Sequence, residues 1–300
     1  MRSLLFVPGH DERKLTKGLE SGADALILDL EDAVPEAEKR RARDITAEFL
    51  KAHQSGLPLF VRVNALPTGL ALDDLAAVVS ARPYGIVLPK CASVRDVDLL
   101  GAYLSALEVR EGAPAGSIRI LGISTETAAS VLAVASYGEK PNERLCGLMW
   151  GGEDLAADVG ATANREPGGR YGAPYELARS FTLLGATAAQ VPAIDAVFTN
   201  FRDTPGLRSE AEQALRDGFS AKAAIHPDQI GPINEAFTPA PADIAWARRV
   251  IEAFEASPAR GALQLDGKML DRPHLRSAHR VLARATSADA NWGVLTRPND

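Results

Sequence analysis

Six carboxylates form the clearest candidate for chemistry in this chain. Each lies at or just beyond the end of a short apolar run: Asp29, Glu31, Asp32, Glu126, Glu153 and Asp154. If these run ends meet in one partly desolvated site, the carboxylates repel one another and raise each other's pKa. A divalent cation removes that cost, and Mg²⁺ is commonly held by one or two carboxylates and several waters. An oxygen-only set of ligands favours Mg²⁺, with Mn²⁺ as the alternative, over zinc.

Two cationic side chains stand at comparable places. Arg62 lies within the third apolar run, and the fourth run leads into Pro89 and Lys90. An arginine on an apolar strand is costly to bury without a partner, so Arg62 is expected either to bind a substrate carboxylate or to form a structural ion pair. Lys90 is expected to bind substrate or to brace the carboxylates, and a Schiff-base role stays open for it.

The elements that must position these side chains are eight short apolar runs. Most lack polar alternation, as expected for strands buried on both faces, and stretches of helical period separate them. The runs cover residues 4–7, 25–28, 59–63, 85–88, 118–123, 145–150, 194–198 and 223–225. Helices are predicted over residues 11–21, 36–54, 93–111, 126–137, 175–189 and 209–218. Eight strand–helix units predict a TIM (β/α)₈ barrel, with an open doubly wound sheet as the rival.

The barrel prediction places the active site at the carboxyl ends of the strands, where the six carboxylates, Arg62 and Lys90 would meet. Gly152 and Glu153, beside Asp154, become candidate substrate-binding residues. For Glu126 and Asp154 the alternative is that each is only an acid at a helix start, where it interacts favourably with the helix dipole.

The pattern changes towards the carboxyl end of the chain. We predict a catalytic barrel domain over residues 1–235 and a helical extension over residues 236–300, which packs on a neighbouring subunit. Within the extension, helices are predicted over residues 242–256 and 273–285, and residues 291–300 are expected to be poorly ordered.

Composition excludes several other classes of protein. Hydrophobic residues make up 46% and charged residues 24%, as in ordinary globular proteins, and the net charge of −6 argues against a nucleic-acid partner. Two cysteines form neither a disulfide framework nor a zinc spacing. No signal peptide or membrane span is visible, so we expect a cytoplasmic protein without a membrane partner.

Several motifs together resemble the citrate lyase beta subunit-like and malyl-CoA lyase family, within the HpcH/HpaI aldolase superfamily. They include Leu-Asp-Leu-Glu-Asp-Ala-Val at 28–34, Gly-Gly-Glu-Asp-Leu-Ala at 151–156 and Ile-His-Pro-Asp-Gln at 225–229. Further matching segments are 2–9, 61–64, 88–90 and 126–128.

This resemblance implies a role for each candidate. Glu126 and Asp154 would be the metal ligands, and Arg62 would bind the substrate near the metal. Glu31 and Asp32 would orient Arg62 and metal-bound waters. In Lys268-Met269-Leu270-Asp271, Asp271 resembles an acidic residue that reaches the neighbouring subunit's site, and is the candidate acid/base. The family also implies a homotrimer or homohexamer.

The resemblance implies a Mg²⁺-dependent carbon–carbon lyase. Its substrate would be a 3-hydroxy-diacid CoA thioester of the malyl-, citramalyl- or citryl-CoA type, and its products acetyl-CoA and a small oxo acid. Two alternatives stay open. One is a malyl-CoA thioester hydrolase that uses the same site, and the other is a non-catalytic barrel that binds acyl-CoA.

Overall fold

The computed structural model describes residues 1–54, 56–140, 142–258 and 261–286. The predicted disordered end at residues 291–300 lies outside them. The described chain divides into two compact units, residues 2–234 and a second unit that begins at Glu235 and also includes Met1.

The first unit is a closed barrel of eight parallel strands in sequential order, which confirms the predicted TIM barrel. Mostly apolar runs form these strands, and every residue of the second and fourth strands is buried. The strands are β1 Ser3–Pro8, β2 Ala25–Asp29, β3 Leu59–Arg62, β4 Gly85–Leu88, β5 Arg119–Ile123, β6 Leu145–Met149, β7 Ala193–Asp195 and β8 Ala221–Ala224.

Helices follow the strands around this unit, and several begin with a side-chain cap. They are α1 Glu12–Leu19, α2 Lys39–Ala52, α3 Ala71–Val78, α4 Val94–Arg110, α5 Ala128–Ala133, α6 Gly152–Asp158, α7 Ala173–Ala188 and α8 Thr204–Asp217. The predicted helix start at Ser209 is wrong, because Asp203 accepts a hydrogen bond from the Gly206 amide and caps α8, which begins at Thr204. Helix α9, Ile230–Phe237, ends the series.

The second unit contains helices α10, Pro241–Glu255, and α11, Arg272–Thr286, which follow the two predicted helices closely. Between them lies a short antiparallel hairpin that the sequence did not predict, with strands β9 Ala262–Leu265 and β10 Lys268–Asp271. Its core is formed by Ala247, Val250, Phe254, Leu270 and Ala278. None of the described helices combines the length and the apolar character needed to cross a bilayer.

Candidate active site

Arg62 ends β3 and forms a buried ion pair with Asp29, the last residue of the adjacent strand β2. Its Nε and Nη2 atoms donate to the two carboxylate oxygens of Asp29 at 2.7 and 2.6 Å. Burial alone would lower the pKa of Arg62, but Asp29 and Glu31 outweigh that effect and raise it. Asp29 also accepts hydrogen bonds from the backbone amides of Glu31 and Ala33, so one carboxylate fixes both the arginine and the turn after β2.

Glu31 lies between the two cationic side chains predicted for the site. Its Oε2 atom is 3.1 Å from Arg62 Nη1, and its Oε1 atom accepts a hydrogen bond from Lys90 Nζ at 2.7 Å. Burial raises the pKa of Glu31, and the two cations only partly offset this effect. Asp32 is more peripheral, since its carboxylate is 58% exposed and 3.6 Å from Arg62 Nη1.

Lys90 brings three carboxylates together. Its ammonium contacts Glu31 and lies 3.2 Å from Asp154 Oδ1, while its backbone amide donates to Glu126 Oε2. The residue lies two positions beyond the end of β4 and has a φ of 49°, a left-handed conformation that is costly for a residue with a Cβ. Such strain persists where surrounding contacts hold it, and here the contacts are the carboxylates of the candidate site.

Glu126 is buried, with 2% of its surface exposed, and it does not belong to a helix. The predicted helix at 126–137 begins two residues later, because Thr127 caps α5 with its side chain. Glu126 therefore faces the Lys90 amide and does not act as a helix-start acid. Burial, followed by repulsion from Asp154, raises the pKa of Glu126 to about 8.

Gly151 makes room for the Glu126 side chain. A Cβ added at Gly151 would lie 2.6 Å from Glu126 Cγ, which is closer than real Cβ atoms approach. The backbone between β6 and α6 therefore packs directly against Glu126. Asp154 follows in the first turn of α6, and its side chain is 32% exposed.

These residues fit a hard dication better than a softer metal. Within the described ranges, no group of three or more Asp, Glu, His or Cys side chains is arranged to hold an ion. Glu126 and Asp154 are close enough for their charges to repel, so they could offer two carboxylate ligands, with water or substrate completing the shell. That shortage of protein ligands is usual for Mg²⁺ and unusual for structural zinc.

The remaining predicted site residues lie in different surroundings. Gly152 is buried against the Trp150 ring, where an added Cβ would approach a ring carbon to 2.9 Å. Glu153 accepts a hydrogen bond from Asn164 Nδ2 at 2.8 Å. Asp271 ends β10 in the second unit and, half exposed, contacts His274 Nδ1 at 2.5 Å. The roles of all these residues stay predictions.

Two polar features were missed from the sequence. Asp29 was counted among the carboxylates, but its pairing with Arg62 was not assigned. Lys222 was not assigned either, although a lysine inside the apolar strand β8 requires a buried acidic partner. That partner is Asp195, at the end of β7, with the two charged groups 2.6 Å apart.

The architecture and the site define a class of protein, a TIM-barrel enzyme with a cluster of carboxylates at the carboxyl ends of its strands. Residues 2–227 match the family described as HpcH/HpaI aldolase/citrate lyase, and residues 172–288 match a carbon–carbon bond lyase of the TIM-barrel fold. The chain belongs to the HpcH/HpaI aldolase/citrate lyase family, which confirms the resemblance and the predicted enzyme class, a carbon–carbon lyase.

Known relatives cover nearly the whole chain. A (3S)-malyl-CoA thioesterase from Cereibacter sphaeroides is 36% identical over 96% of both chains. A mitochondrial citramalyl-CoA lyase from Mus musculus is 33% identical over 95% of this chain and 86% of its own. The crystal structure of CitE from Mycobacterium tuberculosis with magnesium, acetoacetate and coenzyme A is 33% identical, covers 95% of this chain and 97% of its own, and gives a TM-score of 0.75.

Proposed function

We propose that this enzyme is a Mg²⁺-dependent lyase that cleaves a 3-hydroxy-diacid CoA thioester to acetyl-CoA and an oxo acid. The observation that carries the proposal is the pair Glu126 and Asp154, whose carboxylates repel each other beside Lys90. A partly buried pair of this kind is stabilised when a dication occupies it. The magnesium and coenzyme A bound in the CitE structure support this proposal.

Glu126 and Asp154 would hold the ion. Bound there, Mg²⁺ would supply a Lewis acid that polarises substrate oxygens and orients the reacting groups. Charge stabilisation, substrate binding and proton transfer would depend on other side chains.

Arg62 is placed to stabilise negative charge on the thioester oxygen. Cleavage transfers the hydroxyl proton to the candidate acid/base Asp271 of a second copy, breaks the bond between C2 and C3 of the acyl chain, and leaves the electron pair on the departing acetyl thioester as an enolate. Because Asp29 fixes the guanidinium by two hydrogen bonds, Arg62 needs no reorganisation when that charge develops. A single positioned donor of this kind is typically worth about 3 kcal/mol.

Lys90 lies in the middle of the candidate site, with its ammonium between Glu31 and Asp154, and it would bind a substrate carboxylate there. Protonation of the enolate carbon completes acetyl-CoA, and Asp271 of a second copy would supply that proton. Its contact with His274 lowers the pKa of the Asp271 carboxyl group, whereas a proton donor needs a higher pKa. The donor role therefore requires that Asp271 be desolvated at the neighbouring site. This assignment implies a homo-oligomer, and the family resemblance predicts a homotrimer or homohexamer.

The specific observation that favours a second function is the 36% identity to a (3S)-malyl-CoA thioesterase. A thioesterase would use the same cation and Arg62, but it would direct water to the thioester carbonyl and release free CoA.

One experiment tests both functions. The enzyme is incubated with malyl-CoA, citramalyl-CoA or citryl-CoA and Mg²⁺, and acetyl-CoA, free CoA and the oxo acid are quantified by chromatography. Equal amounts of acetyl-CoA and oxo acid, abolished by EDTA and restored by Mg²⁺, support the lyase. Free CoA with the intact hydroxy diacid supports the thioesterase, and no turnover of any thioester contradicts both.

A further inference from the structure

Behind the candidate site, a closed ring of contacts joins side chains that the proposed mechanism does not use. We call it the contact ring, and it consists of Lys222, Asp195, Trp150, Tyr171, Arg165 and Glu210, each in contact with the next and the last with the first. It lies entirely within the first unit and joins the ends of β6 and β7 to β8, α8 and the segment between α6 and α7.

One half of the contact ring is deeply buried. Lys222 is 0% exposed and donates to Asp195 Oδ2 at 2.6 Å, to the Ala196 carbonyl at 2.7 Å and to Glu210 Oε1 at 2.9 Å, so each ammonium proton has an acceptor. The other oxygen of Asp195 accepts the indole N–H of Trp150 at 2.7 Å. The indole is therefore held by a carboxylate whose own position is fixed by a buried lysine.

The other half reaches the surface. The ring of Tyr171 meets Trp150 edge-on with centroids 4.8 Å apart, and Arg165 lies over the opposite part of Tyr171 with its guanidinium carbon 3.7 Å from the centroid. Arg165 Nη1 donates to Glu210 Oε2 at 2.7 Å, and Glu210 returns to Lys222. Two contacts therefore hold the indole of Trp150 in place: its hydrogen bond to Asp195 and its edge-on contact with Tyr171.

The contact ring meets the candidate metal site at Gly152. Trp150 is followed by Gly151 and Gly152, and Gly152 is the first residue of α6, which carries Asp154 in its first turn. An added Cβ at Gly152 would lie 2.9 Å from the Trp150 ring, while one at Gly151 would collide with Glu126. Gly152 therefore packs against the indole and Gly151 packs against Glu126, so two contacts restrict the position of the start of α6.

We propose that Trp150 is a positioning residue for Asp154. The contact ring fixes the indole, the indole fixes Gly152, and the start of α6 then places the Asp154 carboxylate opposite Glu126. This inference rests on the metal site of the proposed function and adds the side chain that sets its geometry. Residues that orient metal ligands from outside typically change metal affinity by 10- to 100-fold when they are replaced.

The test is Mg²⁺ binding by isothermal calorimetry to the full-length chain without substrate, using Trp150→Phe. This substitution keeps an aromatic ring but removes the hydrogen bond to Asp195. Trp246→Phe on α10 is the matched control, since the same substitution is made in the second unit. We expect the dissociation constant for Mg²⁺ to rise about tenfold in Trp150→Phe and to stay unchanged in Trp246→Phe. We also expect the kcat of Trp150→Phe to recover towards wild type as Mg²⁺ is raised, with KM for the thioester unchanged.

A second variant reaches the same contact without touching the hydrogen bond. Gly152→Ala places a methyl group against the indole and should weaken Mg²⁺ binding in the same direction, with circular dichroism confirming that the variants fold. If wild type binds Mg²⁺ and both variants bind it equally well, the positioning role is overturned while the proposed function stands. If wild type itself binds no Mg²⁺, the proposed function fails and this inference fails with it.

Discussion

Arg62 and Asp29 are joined by two parallel hydrogen bonds across the ends of neighbouring strands, in a pair whose side chains are only 12% and 2% exposed. Replacing Asp29 with Asn would leave a buried guanidinium without its main partner. Breaking a buried pair from one side typically costs about 3–5 kcal/mol, and Glu31 offsets part of that loss here. We therefore expect Asp29→Asn to lower the free energy of unfolding by about 3 kcal/mol in urea.

The control for this prediction is Asp73→Asn. Asp73 is 70% exposed and lies 3.5 Å from Arg43, so it forms a surface ion pair of the kind worth about 1 kcal/mol or less. Equal losses in the two variants would show that the Arg62–Asp29 pair contributes no more than a solvated one.

Lys90 offers a way to separate backbone strain from charge. Its left-handed backbone conformation suits glycine, so Lys90→Gly should retain the hydrogen bond from the amide of residue 90 to Glu126 without strain. Lys90→Ala should retain the same bond, but its Cβ is strained in this conformation. Both lose the ammonium. We expect Lys90→Ala to be less stable than Lys90→Gly by about 1 kcal/mol in urea unfolding. Equal stability, or a more stable alanine variant, would contradict the strained backbone.

Acid stability should depend on Glu108, a buried residue of α4. Burial opposes its charge, but hydrogen bonds from Arg144 and from the Ile118 and Gly116 amides outweigh burial and lower its pKa from 4.5 to about 2. A carboxyl group whose pKa is lower in the folded than in the unfolded state stabilises the fold at pH values above the unfolded pKa. This contribution disappears as the pH falls from about 5 to about 2.

We therefore expect Glu108→Gln to lose roughly 3 kcal/mol of unfolding free energy at pH 7 and progressively less below pH 5. Glu38→Gln, which removes an exposed pair with Arg41, should show almost no loss at any pH. Urea unfolding at several pH values measures both. A gap between wild type and Glu108→Gln that stays constant down to about pH 3 would be inconsistent with the lowered pKa.

The proposed role of Asp271 in a second copy can be tested by complementation. Arg62→Lys keeps the charge but loses the paired geometry, and Asp271→Asn loses the proton donor, so each variant alone should have little activity. Mixed during refolding, the two should form assemblies in which some sites combine an intact Arg62 with an intact Asp271 from another chain. We expect activity above that of either variant alone, and a mixture no more active than its components would rule out the shared site.

The barrel was predictable because its strands are continuous apolar runs, and carboxyl ends of parallel strands necessarily meet at one rim. This is why Glu31, Lys90, Glu126 and Asp154 could be grouped before any coordinates. Helix starts were less predictable. Residues 204–208 lack a helical period of apolar residues, so the sequence predicts a helix only from Ser209. The helix nevertheless begins at Thr204, because Asp203 caps it.

Pairings between side chains could not be read from the sequence. Asp29, Glu31 and Asp32 alternate within one short segment, and only the β2–β3 register shows that Asp29 takes the paired hydrogen bonds of Arg62. Lys222 and Asp195 are 27 residues apart, and nothing local identifies them as partners.

The central claim is that Glu126 and Asp154 bind one dication together, and Mg²⁺ titration by isothermal calorimetry tests it most directly. Wild type should bind one Mg²⁺, and Glu126→Gln and Asp154→Asn should each weaken that binding by at least about tenfold, because each removes one of only two protein ligands. Asp228→Asn, which neutralises an 82% exposed carboxylate after β8, should bind Mg²⁺ like wild type. Wild-type affinity in both the Glu126 and the Asp154 variants would contradict the shared site.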